Sequence, residues 1–246
     1  MIEIGKVLEV WRYPVSSLGG EQVEHVEVSS EGVSGDRLFG LFDGTTGRTA
    51  SPEQEPRWRP ALFLSAQSGE NGIPFIRFPD GSAMRVDDPA IMDPLAAHFG
   101  FPAGVGAYRP GGNGVELRLP IVSNRYMPLP LHLLTTSSLR RLTEVGGFPT
   151  IDRRRFRPTL LIETHEEEGF VETTWVGKRL RIGDVQIEVT EPTRRCGMTL
   201  AAQPGISEDP AILRTIMRHA SRNLGVYATP QEKAVIRAGD PVYAGS

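Results

Sequence analysis

A chain of 246 residues, 39% of them hydrophobic, fits one large domain or two closely joined ones and can bury its core without staples. Its net charge of −3 and pI near 6.0 argue against a general nucleic-acid binder, so any anion site must be local. A single cysteine excludes an internal disulfide, an iron–sulfur cluster held by four thiolates and an all-thiolate zinc site.

The opening, Met1 to Val10, has acidic residues where a signal peptide needs basic ones, and no stretch reaches membrane-spanning length. The expectation is a cytoplasmic protein with no membrane and no nucleic-acid partner. Lys6 to Tyr13 alternates as a strand does, and Pro14 ends it. Ser16, Ser17 and Gly19-Gly20 form a turn into a strand over Gln22 to Val28, and Gly32 to Arg37 turns the chain toward the apolar run Leu38 to Phe42. Asp43 to Gly47 closes a hairpin there. A strand follows over Ala61 to Ser65, and Ile73 to Phe78 pairs with Ala83 to Val86 across Pro79-Asp-Gly81.

Asp88 and Pro89 have the chemistry of a helix start, with Gly100 as its stop. Phe101 to Gly114, rich in glycine and proline, reads as an irregular loop and places a boundary there, dividing the chain into 1–105 and 106–246. A second helix begins within Thr135 to Ser138 and ends at Gly146-Gly147. Its first N–H groups either serve an anion or are merely capped by these hydroxyls.

Arg153, Arg154, Arg155 and Arg157 precede a strand over Thr159 to Glu163; such a run is either a solvated face or an oxyanion cradle, for which the planar guanidinium fork is suited. Glu166-Glu-Glu168 reads as a solvated loop. Lys178 to Ile182 and Val185 to Val189 form a hairpin through Gly183-Asp184 and deliver the chain to Cys196, the sole thiol. It lies at a strand end after Arg194 and Arg195, whose fixed charge favours a thiolate; it is either a metal ligand or nucleophile, or a small buried apolar residue. Asp209 to His219 has helical spacing, with Ile212, Ile216 and His219 toward one face, and short strands over Asn223 to Ala228 and Ala234 to Tyr243 complete a mainly β chain with a few α-helices, an α+β fold. No histidine pair has metal-site spacing, and there is no phosphate-binding glycine loop or nucleophile elbow.

Taken together, Tyr13-Pro-Val-Ser-Ser17, Gly35-Asp-Arg37, Arg155-Phe-Arg-Pro158, Arg195-Cys196 with Thr199, Asn223-Leu-Gly-Val-Tyr227 and Ile236-Arg-Ala-Gly-Asp-Pro-Val242 occur in the order seen in MOSC-domain proteins, with the first two segments resembling the N-terminal β-barrel region that accompanies that domain. Within that family the chain is similar to the mitochondrial amidoxime-reducing component and its bacterial relatives. The resemblance implies a MOSC-type β-barrel with an N-terminal β-rich subdomain, binding a molybdenum cofactor, molybdopterin with molybdenum. By position, Cys196 is the implied metal ligand and, with Arg195, the catalytic pair. Ser17, Arg37, Thr135, Ser138, Arg157, Thr159, Arg194 and Arg195 are the implied cofactor contacts. The implied activity is a molybdenum-dependent oxidoreductase that reduces N-hydroxylated or related N–O small molecules, fed by a separate electron donor (ferredoxin-like, or a cytochrome or reductase). The alternative is a carrier of cofactor, or of persulfide sulfur on Cys196, without catalysis of its own. Three positions depart from the amidoxime reducers: Ser16 stands where they have lysine, Thr159 where they have asparagine, and Arg194 where they have a small polar residue.

Overall fold

A computed structural model describes residues 1–109, 119–124, 131–165 and 169–245. The second half of the 101–114 loop and Glu166-Glu-Glu168 therefore lie outside the described residues. Up to residue 109 the strands are β1 (Ile2–Arg12), β2 (Glu21–Val23), β3 (His25–Ser29), β4 (Gly32–Val33), β5 (Phe39–Asp43), β6 (Ser65–Gln67), β7 (Phe75–Arg77), β8 (Ala83–Arg85) and β9 (Ala103–Ala107), with helix α1 (Met92–Phe99) between the last two. Beyond it come β10 (Leu131–Thr135), α2 (Thr136–Gly146), β11 (Leu160–Thr164), β12 (Arg179–Ile182), β13 (Val185–Arg194), α3 (Pro210–His219), β14 (Asn223–Pro230), β15 (Ala234–Arg237) and β16 (Pro241–Ala244).

Seven of these strands close into a barrel in the order β11-β10-β14-β13-β12-β16-β1, the ring being completed by β1 against β11, while β2 hangs on the outer edge of β1. Only the β10–β11 neighbours are parallel. The first strand is thus a stave of a barrel otherwise built from the second half of the chain. Side chains of alternate parity fill the two sides of the wall, as strand geometry requires. Leu133 and Leu160 belong to the barrel core with Val7, Ile187 and Val226, whereas Leu134 and Leu161 lie outside it under α2 and α3. Ile212 and Ile216 bury the inner stripe of α3, about 2 kcal/mol each for the area removed from water. His219 is exposed and does not join them.

A second core surrounds Trp58, against which Phe99 and Phe101 pack edge-on with ring centroids 5.0 and 4.8 Å away. It is covered by the β5–β9 pair and the β6-β7-β8 meander. Two expectations fail in this region. The segment expected as a strand over Ala61 to Ser65 is mostly the 3-10 helix Pro56–Phe63, because Pro56 starts it and Trp58, Ala61 and Leu62 recur at helical spacing on its buried side. The loop expected from Phe101 contains β9, and the expected boundary at 105/106 falls inside that strand. Gly104 and Gly106 are there for close packing, since a Cβ would come within 2.7 Å of Phe42 and 2.5 Å of Val122. The turn at Asp43 forms as expected, its carboxylate accepting from Thr45 and Thr46 N–H, but β5 takes β9 as its main partner.

Both expected helix starts are present. Asp88 accepts from Ala90 N–H and Thr135 from Ser138 N–H, and Gly100 and Gly147 end the two helices in left-handed geometry. No helix among the described residues is long and apolar enough to cross a membrane.

Candidate functional site

Tyr13, at the end of β1, is buried and has two guanidiniums against its ring, with Arg37 5.0 Å and Arg157 4.2 Å from the ring centroid. Its hydroxyl donates to the Pro158 carbonyl at 3.3 Å, and burial pushes the phenol well above its ordinary range, so it stays neutral. Arg37 is held by its neighbour Asp36, which also accepts from Tyr13 N–H at 2.6 Å. Arg157 differs. One of its nitrogens donates to the Leu18 carbonyl, while Nη2 is buried without a partner. Burial, reinforced by the charge of Arg37, pushes Arg157 down to about 10, still a cation at neutral pH. A half-buried guanidinium whose inner N–H has no partner, and to which no carboxylate is bonded among the described residues, is a costly arrangement for a protein to keep by itself.

His132 joins this shelf to the segment carrying the thiol. Arg195 places Nη2 2.5 Å from His132 Nε2 and donates also to the carbonyls of Phe156 (3.0 Å) and Leu224. Because a guanidinium only donates, Nε2 must accept, which puts the ring proton on Nδ1, 3.2 Å from the Arg157 carbonyl. Burial first, and then the charge of Arg195, hold His132 well below the ordinary histidine range. Gly225 makes room for the pair: at φ +79°, its missing Cβ would stand 2.4 Å from His132 Nε2. Arg195, pushed down by burial to about 10, also leaves Nε unpartnered.

Cys196 follows directly, at the cap of the 3-10 turn Gly197–Leu200, and is exposed. Burial alternates along the strand end: Thr193 and Arg195 are inside, Arg194 and Cys196 outside. The reading of Cys196 as a small buried apolar residue is thereby overturned. Arg195, which the resemblance pairs with Cys196, turns inward as a brace between β10, β14 and the turn before β11. The turn after Cys196 is clamped by Arg155, which donates to the carbonyls of Thr199 (3.3 Å), Ala201 (3.3 Å) and Ser207 (2.5 Å). Arg153 is committed to Glu9 and Arg154 to Asp152, and among the described residues of that run Arg157 is the one with a buried donor left without a partner.

Three other expected cofactor contacts are already engaged. Thr135 donates to Glu172 at 2.7 Å and Ser138 donates to the same carboxylate oxygen, while the other oxygen accepts from Gly225 N–H at 3.0 Å. Glu172 is fully buried, and burial raises its pKa. The start of α2 is thus an anion site filled by the protein's own carboxylate. Thr159 is buried and accepts from His132 N–H at 3.3 Å, inside the wall. Ser17 sits in left-handed geometry at φ 70° beside Leu18, next to the shelf. Five of the six non-glycine residues with positive φ among the described residues flank this region: Ser17, Arg37, Arg157, Ser221 and Arg222. Each holds about 1 kcal/mol or more of strain, of the kind that gathers at binding sites.

The residues fit the two ends of a molybdopterin-type group. Arg157, beside Arg37, has a donor for a phosphate or pterin acceptor, and Cys196 presents a reachable thiol. No group of three or more His, Cys, Asp or Glu among the described residues could hold a metal alone, so a metal at Cys196 would have to bring its other donor atoms with it. Sequence reasoning missed His132 and Glu172. A lone polar residue within Leu131-His-Leu-Leu134 could have been noticed; nothing local marks Glu172.

Residues 128–243 match the family model described as the MOSC domain, and residues 4–90 match the MOSC N-terminal beta barrel domain. A search of curated proteins returned no significant match. Among solved structures, the YUAD protein from Bacillus subtilis is 12% identical over 97% of this chain and 93% of that one, with a TM-score of 0.49. YiiM from Geobacillus stearothermophilus is 15% identical over 47% of this chain and 54% of its own, with a TM-score of 0.36.

Proposed function

The chain belongs to the MOSC-domain proteins, a family associated with molybdenum-cofactor binding, and from that premise we propose that it binds this cofactor and works as an oxidoreductase on N-hydroxylated or related N–O substrates. The observation that carries the reading is the buried Nη2 of Arg157, without a partner among the described residues, set beside Arg37 and connected through His132 and Arg195 to the exposed Cys196. Arg157 and Arg37 bind the anionic end, and Cys196 ligates the metal. Arg195 and His132 act on neither directly: they hold the Arg157 carbonyl and the strand before Cys196 at a fixed separation. When bound, the group supplies the two-electron chemistry needed to remove oxygen from nitrogen. A chain with one thiol carries no four-thiolate cluster, so those electrons come from a separate donor protein, ferredoxin-like or a cytochrome or reductase.

Protein produced in a host with an intact cofactor pathway should contain molybdenum and pterin in near-equal amounts, and should reduce benzamidoxime with a chemical electron donor. Cys196→Ser should lose most of the metal. Full metal occupancy in that variant would remove Cys196 from the ligand role, and absence of pterin from the parent would remove the cofactor. The exposed thiol also favours one second reading, a persulfide or cofactor carrier. A labile added sulfur on Cys196 without pterin, seen by mass spectrometry, would select it.

A further inference from the structure

Next to the thiol stands a second arginine whose geometry has no use in the scheme above. Arg222 lies in the turn between α3 and β14, in left-handed geometry at φ 69°, directly after Ser221 at φ 48°. It is tied to the cysteine segment by a reciprocal pair of bonds: Arg195 N–H donates to the Arg222 carbonyl at 2.9 Å, and Arg222 Nε donates to the Arg195 carbonyl at 3.0 Å. The guanidinium is therefore fixed against the Arg195–Cys196 peptide by its Nε edge. No carboxylate pairs with its two terminal nitrogens among the described residues. Arg194 adds a second positive charge. It is exposed on the same side of the strand end as Cys196, forms no ion pair among the described residues, and is in register with Asn223, the residue after Arg222. Residues two apart on an extended strand share a face, within about 7 Å of one another.

We infer that Arg222, assisted by Arg194, forms a carboxylate-binding subsite beside Cys196, so that the preferred substrates are N-oxygenated compounds carrying a carboxylate near the reducible group. The inference rests on the oxidoreductase reading for the word substrate, but not for the subsite itself. A planar fork fixed by Nε and open at its two terminal nitrogens is matched to the two oxygens of a carboxylate. The strain at Ser221 and Arg222 is retained because it places that fork.

The test uses the full chain made without cofactor, in which Cys196 is the only thiol. Alkylation rates are measured with iodoacetate, which carries a carboxylate, and with neutral iodoacetamide; the ratio of the two rates cancels the intrinsic reactivity of the sulfur. Arg222→Asn, chosen because asparagine tolerates left-handed geometry, and Arg194→Gln should each lower the ratio about threefold, the scale of one partly exposed charge pair. High salt should lower it in the parent as well. Arg222→Lys, which keeps the charge and loses the fork, should fall between. The control is Arg179→Gln, an exposed arginine in register with Glu188, about 20 Å down β13 from Arg194, and it should leave the ratio alone. A ratio unmoved by Arg222→Asn and Arg194→Gln, or moved as much by Arg179→Gln, overturns the subsite whatever the loaded protein catalyses. In the loaded protein, kcat/KM for 4-carboxybenzamidoxime over benzamidoxime should follow the same order of variants. Loss of turnover with both compounds, alongside an intact alkylation ratio, strikes the oxidoreductase reading and leaves the subsite standing.

Discussion

The start of α2 and the shelf around Tyr13 are both built to receive negative charge, and they differ in who provides it. At α2, Thr135, Ser138 and Gly225 N–H converge on Glu172, so the anion is internal and the donors are satisfied. At the shelf, Arg157 and Arg37 flank a neutral tyrosine, and a donor of Arg157 remains unused. A helix start or a cluster of cations signals an anion site, but only the tally of unsatisfied donors tells whether a ligand is still wanted.

That contrast is open to direct attack. Glu172→Ala should cost the most, about 4 kcal/mol of unfolding free energy by urea titration, because it strands several buried donors at once. Arg157→Met should change the stability of cofactor-free protein by only about 1 kcal/mol in either direction, since replacing a poorly partnered buried charge by an apolar chain is near neutral, while it abolishes retention of pterin. If the two substitutions cost the same, the shelf is as structural as the α2 start and the contrast fails. A smaller effect should come from pH. His132 has a folded pKa below its unfolded value of about 6.5, so the unfolded state binds more protons and stability should fall as pH drops below that value. His132→Asn should flatten this part of the profile of melting temperature against pH. Glu172 acts in the opposite sense: its folded pKa is raised, so its contribution is complete below the unfolded carboxyl range and is lost as pH rises. The least effect is expected from Cys196→Ser on folding, a shift of melting temperature under about 2 °C, because the thiol is exposed.

Much of the frame was legible because its signals are local. Asp88 and Thr135 cap their helices as read, the helical spacing after Asp209 is α3, and the hairpin through Gly183-Asp184 pairs Ile182 with Val185. The position of Cys196 at a strand end and the order of the arginine motifs carried the family. What escaped depends on partners far apart in the chain. Glu172 meets Thr135 across 37 positions and Arg195 meets His132 across 63, distances at which spacing rules are silent. Thr135, Ser138 and Thr159 were placed at the cofactor by resemblance, and their hydroxyls are engaged inside the protein. Gly104 and Gly106 were misread for a different reason: in isolation a glycine that permits tight packing looks the same as one that permits a turn.

The place of β1 in the barrel ring has a consequence for synthesis. Gly5 and Lys6 sit between β16 on one side and β11 on the other, so the seam is stitched from strands far apart in the sequence, with β16 made long after β1. Until β16 leaves the ribosome the ring stays open, and its raw margins are a hazard the nascent chain must survive. Severing the chain between its two family segments would separate the sequence at a natural seam of the alignment while tearing the cylinder along its length.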